Sequence, residues 1–165
     1  MGAIEKVLTA NARFALDYDP GHVSPRPRLG LAVLTCMDTR LSRQALGLGP
    51  QDAHIIRNAG GIVTDDVLRS LLISHYLLET SEVMVINHTD CGLMKASEEA
   101  LHSQIERQAG LPPSSPVHFY AFRDVEANVR EQLAKLDAHS WIHSDLKIRG
   151  FVFDVRTGHL REVLR

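Results

Sequence analysis

The feature that most constrains the fold is an alternation of short strand-like runs with longer segments of helical periodicity. The run LAVLTC (31–36) is continuously apolar, as in strands buried inside parallel sheets, and AHIIRN (53–58) and EVMVINH (82–88) follow as further strands. Between the last two, TDDVLRSLLISHYLLET has apolar residues at helical spacing, with Thr64 placed to cap a helix. This order predicts an α/β fold with a mostly parallel central sheet and flanking helices.

The two ends of the chain complete this prediction. The segment MGAIEKVLTANARF is typical of an amphipathic helix, and the Pro- and Gly-rich DYDPGHVSPRPRLG after it predicts an extended arm. Helices are predicted over 97–109 and 122–136, separated by GLPPSSP, and RGFVFDVRTGHLREVL predicts a strand, a turn and a closing antiparallel strand. We therefore expect a single domain over 1–165, in which the N-terminal helix and arm (1–29) have little core of their own and wrap a partner chain.

Charge and hydropathy narrow the classes of partner. The formal net charge is -2 with a pI near 6.5, and no basic face with interleaved aromatic residues is present, which argues against nucleic acid. The apolar runs are too short to cross a bilayer, and the first helix carries an acid, unlike a secretion signal. The expected location is the cytoplasm, where cysteines serve metal binding or catalysis more often than disulfides.

Chemistry-bearing residues follow two of the predicted strands. Cys36 ends the first strand and Asp38 lies two residues further on, while His88 ends the third strand and Cys91 lies three residues further on. Ligand sites of parallel sheets lie beyond the carboxyl ends of the strands. Two sulfurs, one nitrogen and one oxygen at that edge form a tetrahedral set suited to zinc.

Other interpretations of these residues compete. Free cysteines are common in protein cores, and His88 fits a hydrogen-bonded interior position as well. A thiol-nucleophile loop of the phosphatase or rhodanese type requires arginine six residues after the cysteine, where this chain has Ser42. Neither a phosphate-binding P-loop nor a dinucleotide-binding G-x-G-x-x-G occurs.

Three motifs carry a family resemblance. CMDTR (36–40), RNAGG (57–61) and HTDCG (88–92) match, in order and spacing, the C-x-D-x-R, R-N-x-x and H-x-x-C-G blocks of the β-class carbonic anhydrases, and RGFVFDVRTGHL resembles that family's closing strand pair. The chain is similar to the short bacterial members. The resemblance implies one zinc ion per chain, reversible hydration of carbon dioxide to bicarbonate, and a homodimer or a higher multiple of dimers.

The resemblance also implies roles for individual residues. Cys36, His88 and Cys91 would be permanent zinc ligands. Asp38 would either occupy the fourth position of the zinc or pair with Arg40, which frees that position for water. Asp38 and Arg40 are thus the expected catalytic pair. Arg57 and Asn58 are expected to brace the loop, and the 60–61 glycine pair to form a tight turn or a close backbone approach.

Two departures from the family pattern keep other functions open. Asn87 precedes His88 where many members have glycine, and no glutamine precedes Cys36 to contact the substrate. Relatives on the same scaffold hydrolyse carbonyl sulfide or carbon disulfide, so a hydrolase of such a sulfur analogue is one alternative. A noncatalytic zinc-binding protein, with Asp38 locked on the metal, is the other.

Overall fold

The computed structural model describes residues 1–113 and 116–165, and this part of the chain contains one five-stranded sheet. Strands β1, β2, β3 and β4 pair in parallel, and β5 pairs antiparallel with β4, in the spatial order β2-β1-β3-β4-β5. Their bounds are β1 Leu31–Cys36, β2 Ala53–Asn58, β3 Glu82–His88, β4 Lys147–Phe153 and β5 Leu160–Val163. The predicted fold class is confirmed, including the closing antiparallel strand.

Four α-helices lie in the described ranges: α1 Ala3–Leu16, α2 Asp65–Leu78, α3 Glu98–Ala109 and α4 Val125–Asp137. The predicted cap Thr64 accepts a hydrogen bond from the backbone N–H of Val67 at the start of α2. One predicted boundary is wrong: the helix expected from residue 122 begins at Val125, because the Asp124 carboxylate accepts the Ala127 N–H and caps it there. The predicted GLPPSSP connection includes residues 114 and 115, which lie outside the described ranges.

The main core lies between the sheet and two helices. Apolar side chains of α2 and α4, such as Leu71 and Leu133, pack with Leu34, Val85 and other buried residues of the strands. On the opposite face a second apolar cluster, which includes Val33, draws no residue from an α-helix of the described chain and is covered by the segment 41–48. Parallel sheets are normally covered by helices on both faces, so this second face is only partly enclosed.

Helix α1 has no buried residue. Its apolar side chains are exposed and recur at helical spacing: Ile4 is 72% exposed, Val7 66%, Leu8 62% and Phe14 64%. The predicted helix is confirmed, and so is its lack of a core within its own chain. None of the described helices combines the length and the apolar character needed to cross a bilayer.

Strand register brings the two predicted motifs together. Thr35 is the partner of Ile86 across the β1–β3 pair, and the Thr35 hydroxyl also donates to the Ile86 carbonyl at 3.0 Å. The C-terminal residues of these adjacent strands, Cys36 and His88, therefore leave the sheet at the same edge.

Candidate metal centre

Three of the predicted residues form one cluster at this edge. The Sγ atoms of Cys36 and Cys91 and a ring nitrogen of His88 all lie within 4.8 Å of one another, and all three residues are buried. Cys36 ends β1 and His88 ends β3, while the turn at Thr89 and Asp90 returns Cys91 to the strand ends. Both cysteines are free. The cluster therefore offers two sulfurs and one nitrogen to a single ion.

The imidazole of His88 is oriented for such a role. Its Nδ1 donates to the Thr89 carbonyl at 2.9 Å, which leaves Nε2 as the atom with the free lone pair. His88 Nε2 is the one buried side-chain nitrogen or oxygen without a hydrogen-bond partner in the described ranges. An unpartnered buried polar atom is costly, and a metal ion at this position would satisfy it.

The two thiols are electrostatically linked. A hydrogen bond from Cys91 lowers the pKa of Cys36 to about 4 despite burial, and the backbone N–H of Gly60 also donates to its sulfur at 3.3 Å. The same contact, with the negative charge it leaves nearby, raises the pKa of Cys91. One thiolate therefore forms easily, whereas the second requires a neutralising cation. A set of two thiolates and an imidazole fits zinc.

Asp38 lies beside the cluster and is held by Arg40. Its Oδ2 is 3.9 Å from His88 Nε2, beyond hydrogen-bond distance. Arg40 donates from Nε to Oδ1 at 3.0 Å, from its second terminal nitrogen to Oδ2 at 2.8 Å, and from its backbone N–H to Oδ1 at 2.9 Å. These bonds hold the pKa of Asp38 well below its usual range. Of the two arrangements expected from the sequence, the carboxylate is in the one paired with the guanidinium.

A second carboxylate, which was not predicted from the sequence, also forms an ion pair with Arg40. Asp90 accepts from Arg40 through its Oδ2 at 2.9 Å and through its backbone carbonyl at 3.2 Å, and Lys95 holds the other carboxylate oxygen at 2.7 Å. Asp90 has φ +57°, a left-handed conformation in which aspartate is among the tolerated residues. The available signal was its place directly before Cys91. The guanidinium thus lies between two carboxylates.

The loop around the cluster is braced as predicted. Arg57 donates from Nε to the Cys36 carbonyl at 3.0 Å, and its terminal nitrogen donates to the Asp38 carbonyl. The Asn58 side chain accepts the Ile62 N–H at 2.9 Å and donates to the Ile62 carbonyl at 2.8 Å. Both residues fix the backbone that carries the site.

The fold and the site define a class: an α/β protein with a Cys–His–Cys site for one metal ion at the carboxyl edge of a parallel sheet. The model of the carbonic anhydrase family matches residues 31–160, and the chain belongs to this family.

Individual relatives agree with the family match. The chain is 39% identical over 152 residues to β-carbonic anhydrase 1 of Mycobacterium tuberculosis, covering 90% of this chain and 92% of that protein. The crystal structure of carbonic anhydrase from Streptococcus mutans superposes with a TM-score of 0.90 at 41% identity and covers 99% of each chain. A carbon disulfide hydrolase of an Acidianus species is also similar, with 36% identity over 155 residues that cover 80% of this chain and 76% of that protein.

Proposed function

We propose that this protein is a carbonic anhydrase that catalyses the reversible hydration of carbon dioxide to bicarbonate, with zinc held by Cys36, His88 and Cys91. The observation that carries the proposal is the buried Nε2 of His88, which has no hydrogen-bond partner and lies with two thiols. The family membership and the 39% identity to a β-carbonic anhydrase support the same reaction.

Cys36, His88 and Cys91 would hold zinc through three protein ligands and leave a position for water, as in catalytic sites. When bound, zinc would supply a nucleophile by lowering the pKa of water from about 15.7, and the charge donated by two thiolates would keep this pKa above the value of about 7 found with neutral ligands. Asp38 would accept a hydrogen bond from the attacking water and orient the lone pair of that water toward the substrate. Its Oδ2 lies 3.9 Å from His88 Nε2, next to the three metal-binding side chains.

Arg40 keeps Asp38 available for that role. With zinc bound, the carboxylate would have two competing cations, the zinc and the guanidinium, and a carboxylate on zinc would exclude water from it. The two parallel bonds from Arg40 favour the open arrangement, because a bidentate charge-assisted pair is strong and directional. Asp90 holds the other side of the guanidinium and so opposes its rotation away from Asp38.

Hydrolysis of carbon disulfide or carbonyl sulfide is the second candidate. It is favoured by the similarity to proteins named carbon disulfide hydrolase, at 36% identity. These substrates are linear, like carbon dioxide, and are attacked at the same carbon, so the shared fold does not distinguish them. Carbon dioxide is preferred because the relatives of higher identity, at 39% and 41%, are carbonic anhydrases.

The deciding experiment compares the substrates on one preparation of zinc-loaded protein. Stopped-flow measurement with a pH indicator follows carbon dioxide hydration, and parallel assays follow hydrogen sulfide released from carbonyl sulfide and carbon disulfide. We expect hydration to have the highest kcat/KM. A higher value for a sulfur substrate would replace the proposal with the second candidate. Full zinc occupancy without turnover of any of the three would indicate a noncatalytic zinc protein with Asp38 on the metal.

We also propose that the protein is a homodimer or a multiple of dimers. Two apolar surfaces support this: the stripe on α1, in which Leu8 is 62% exposed, and the sheet face that no α-helix of the described chain covers. Leu8→Glu should lower the assembly size in light scattering, because it places a charge in the stripe. Thr9→Glu adds the same charge beside the stripe and is the matched control. An active wild-type monomer at micromolar concentration would refute the proposal.

We further propose a cytoplasmic location, because Cys36 and Cys91 are both free and metal-binding thiols stay reduced in that compartment. Fractionation of cells that produce the protein would test this. Recovery with the extracellular or periplasmic fraction would refute it.

A further inference from the structure

Three buried amide side chains are not used by the proposed chemistry. Asn87 is 1% exposed on β3, and Asn128 and Gln132 are 4% and 1% exposed one turn apart on α4. Uncharged polar groups in a protein interior cost free energy unless each finds a hydrogen-bond partner. Their partners therefore indicate why these residues are present.

The three amides form one continuous series of hydrogen bonds, which we call the amide relay. The backbone N–H of Val63 donates to Gln132 Oε1 at 2.8 Å, and Gln132 Nε2 donates to Asn128 Oδ1 at 3.0 Å. Asn128 Nδ2 then donates to Asn87 Oδ1 at 2.7 Å, and Asn87 Nδ2 donates to the carbonyl of Gly60 at 2.8 Å. The relay begins and ends on the same loop, residues 60–63.

The chemistry of its two ends fixes the direction of the relay. A backbone N–H can only donate and a backbone carbonyl can only accept. Each amide in between must therefore present its oxygen toward Val63 and its nitrogen toward Gly60. Asn87 Nδ2 uses its second proton on the Gly61 carbonyl at 3.3 Å. The relay thus ties the loop to both β3 and α4 in a single orientation.

The loop that the relay holds also contacts a predicted metal ligand. Gly60 presents its carbonyl to Asn87 and its N–H to the sulfur of Cys36, at 3.3 Å. Gly60 has φ +83° and Gly61 has φ +65°, so both are in the left-handed region, which glycine adopts without steric cost. Asn87 also directly precedes His88. The relay is therefore connected to two of the three ligands.

We propose that the amide relay is a positioning device for the metal site: it holds the N–H of Gly60 on the Cys36 sulfur and so sets how strongly this thiolate donates charge to the metal. The inference rests on the proposed function, because it requires a metal at Cys36. A hydrogen bond to a ligating sulfur withdraws charge from it, and such outer contacts tune both metal affinity and reactivity. The residue before His88 thereby gains a role in the metal site.

The test uses two relay variants and one control. Asn87→Leu removes the bonds to the glycine carbonyls and keeps the number and branching of the side-chain heavy atoms. Gln132→Met breaks the relay at the Val63 end with a side chain of similar shape. If Asn87→Leu fails to fold, Gln132→Met still tests the inference. Val129→Ala is the control, because Val129 is fully buried on the same helix and takes no part in the relay.

Three quantities are measured for each protein: the energy of the sulfur-to-cobalt charge-transfer absorption after loading with Co²⁺, the zinc affinity in competition with a chromophoric chelator, and the midpoint of unfolding. We expect Asn87→Leu to shift the absorption to lower energy, because the sulfur regains the charge that the Gly60 N–H withdraws. Zinc binding should weaken about 10- to 100-fold, because the loop no longer holds the ligand in position. Gln132→Met should change both in the same direction by less. Val129→Ala should lower only the unfolding midpoint.

The possible failures are distinguishable. The inference would be overturned if both relay variants had the absorption and zinc affinity of wild type and only a lower unfolding midpoint. The relay would then contribute to the stability of the fold and not to the metal site. A shift of the same size in Val129→Ala would overturn it as well. A wild-type protein without any thiolate-to-cobalt absorption would overturn the proposed metal site, and the inference with it.

Discussion

Replacement of Gly61 by alanine should destabilise both the fold and the metal site. A Cβ at this position would lie 2.8 Å from Asn87 Nδ2 and 3.1 Å from both the backbone nitrogen of Cys36 and the backbone carbon of Thr35. The sheet fixes the strand backbone, and hydrogen bonds fix the Asn87 amide. Neither can therefore move away from the added Cβ. Overpacking of this kind costs about 1–3 kcal/mol. The left-handed φ of +65° adds about 1–2 kcal/mol for any residue with a Cβ.

The chain contains a matched control for this substitution. Gly158 has φ +75°, but nothing lies within 4 Å of a Cβ built there, so Gly158→Ala should cost only the conformational part, about 1–2 kcal/mol. Gly61→Ala should cost about 2–5 kcal/mol in total. Urea unfolding of the metal-free proteins gives both free energies, and a chelator competition gives the zinc affinity, which should fall only in Gly61→Ala. Equal losses of stability in the two variants, with zinc affinity unchanged, would refute the close-approach argument.

Cys91→Ala should abolish stoichiometric zinc binding and lower the unfolding midpoint in zinc-containing buffer, as measured by metal analysis and thermal unfolding. Arg40→Ala should retain zinc but lower kcat/KM for hydration by about 100-fold, because Asp38 loses its orienting partner. Arg40→Lys should restore little of this activity, since an ammonium group lacks the planar fork of a guanidinium. Asp52→Asn should be less stable than wild type at neutral pH, and the difference should narrow as the pH falls below about 3.9, as measured by urea midpoints from neutral pH to pH 3.

The sign of the pH prediction follows from the contacts of Asp52. The backbone N–H of Gly49 at 2.8 Å and the guanidinium of Arg28 at 2.9 Å hold the pKa of this carboxyl below its usual value. A lowered folded-state pKa adds stability above the unfolded-state value, about 3.9, and this stability is lost as the pH falls through the folded-state pKa. A difference between wild type and Asp52→Asn that stayed constant with pH would contradict this account.

Each of the other two predictions also has a contradicting outcome. Full zinc occupancy in Cys91→Ala would remove this cysteine from the ligand set. Wild-type hydration rates in Arg40→Ala across the pH range would show that the ion pair with Asp38 has no part in the reaction.

The sequence predicted the parts of the fold that depend on local patterns. The three parallel strands and the cap at Thr64 follow from apolar runs and capping chemistry, and both are found. Convergence of Cys36 and His88 was also predictable, because the carboxyl ends of parallel strands share one edge of the sheet. The start of α4 was missed because the apolar pattern extends to Phe122, whereas the Asp124 side chain sets the first turn.

Contacts between distant segments could not be predicted from the sequence. Nothing local to Gln132 indicates that its amide accepts from Val63, since 69 residues separate the two. In the sequence, Asn87 differs from the glycine of the family pattern, but nothing indicates its partner. That partner, Asn128, lies on α4, a helix from another part of the chain that packs on β3. Similarly, the sequence shows a carboxylate at position 90, but its hydrogen bond with Arg40 depends on how the turn after β3 faces the turn after β1.

The pairing of β1 with β3 also determines when the site can form during folding. Thr35 and Ile86 are hydrogen-bonded neighbours 51 residues apart, and β2 and α2 lie within the loop that their pairing closes. Closing a loop of about 50 residues carries an entropic term of about 3.5 kcal/mol at room temperature. An ion held only by the local pair His88 and Cys91 cannot recruit Cys36 until that loop has closed. We therefore expect metal binding by all three ligands to follow this pairing, and zinc to slow unfolding while leaving the folding rate almost unchanged.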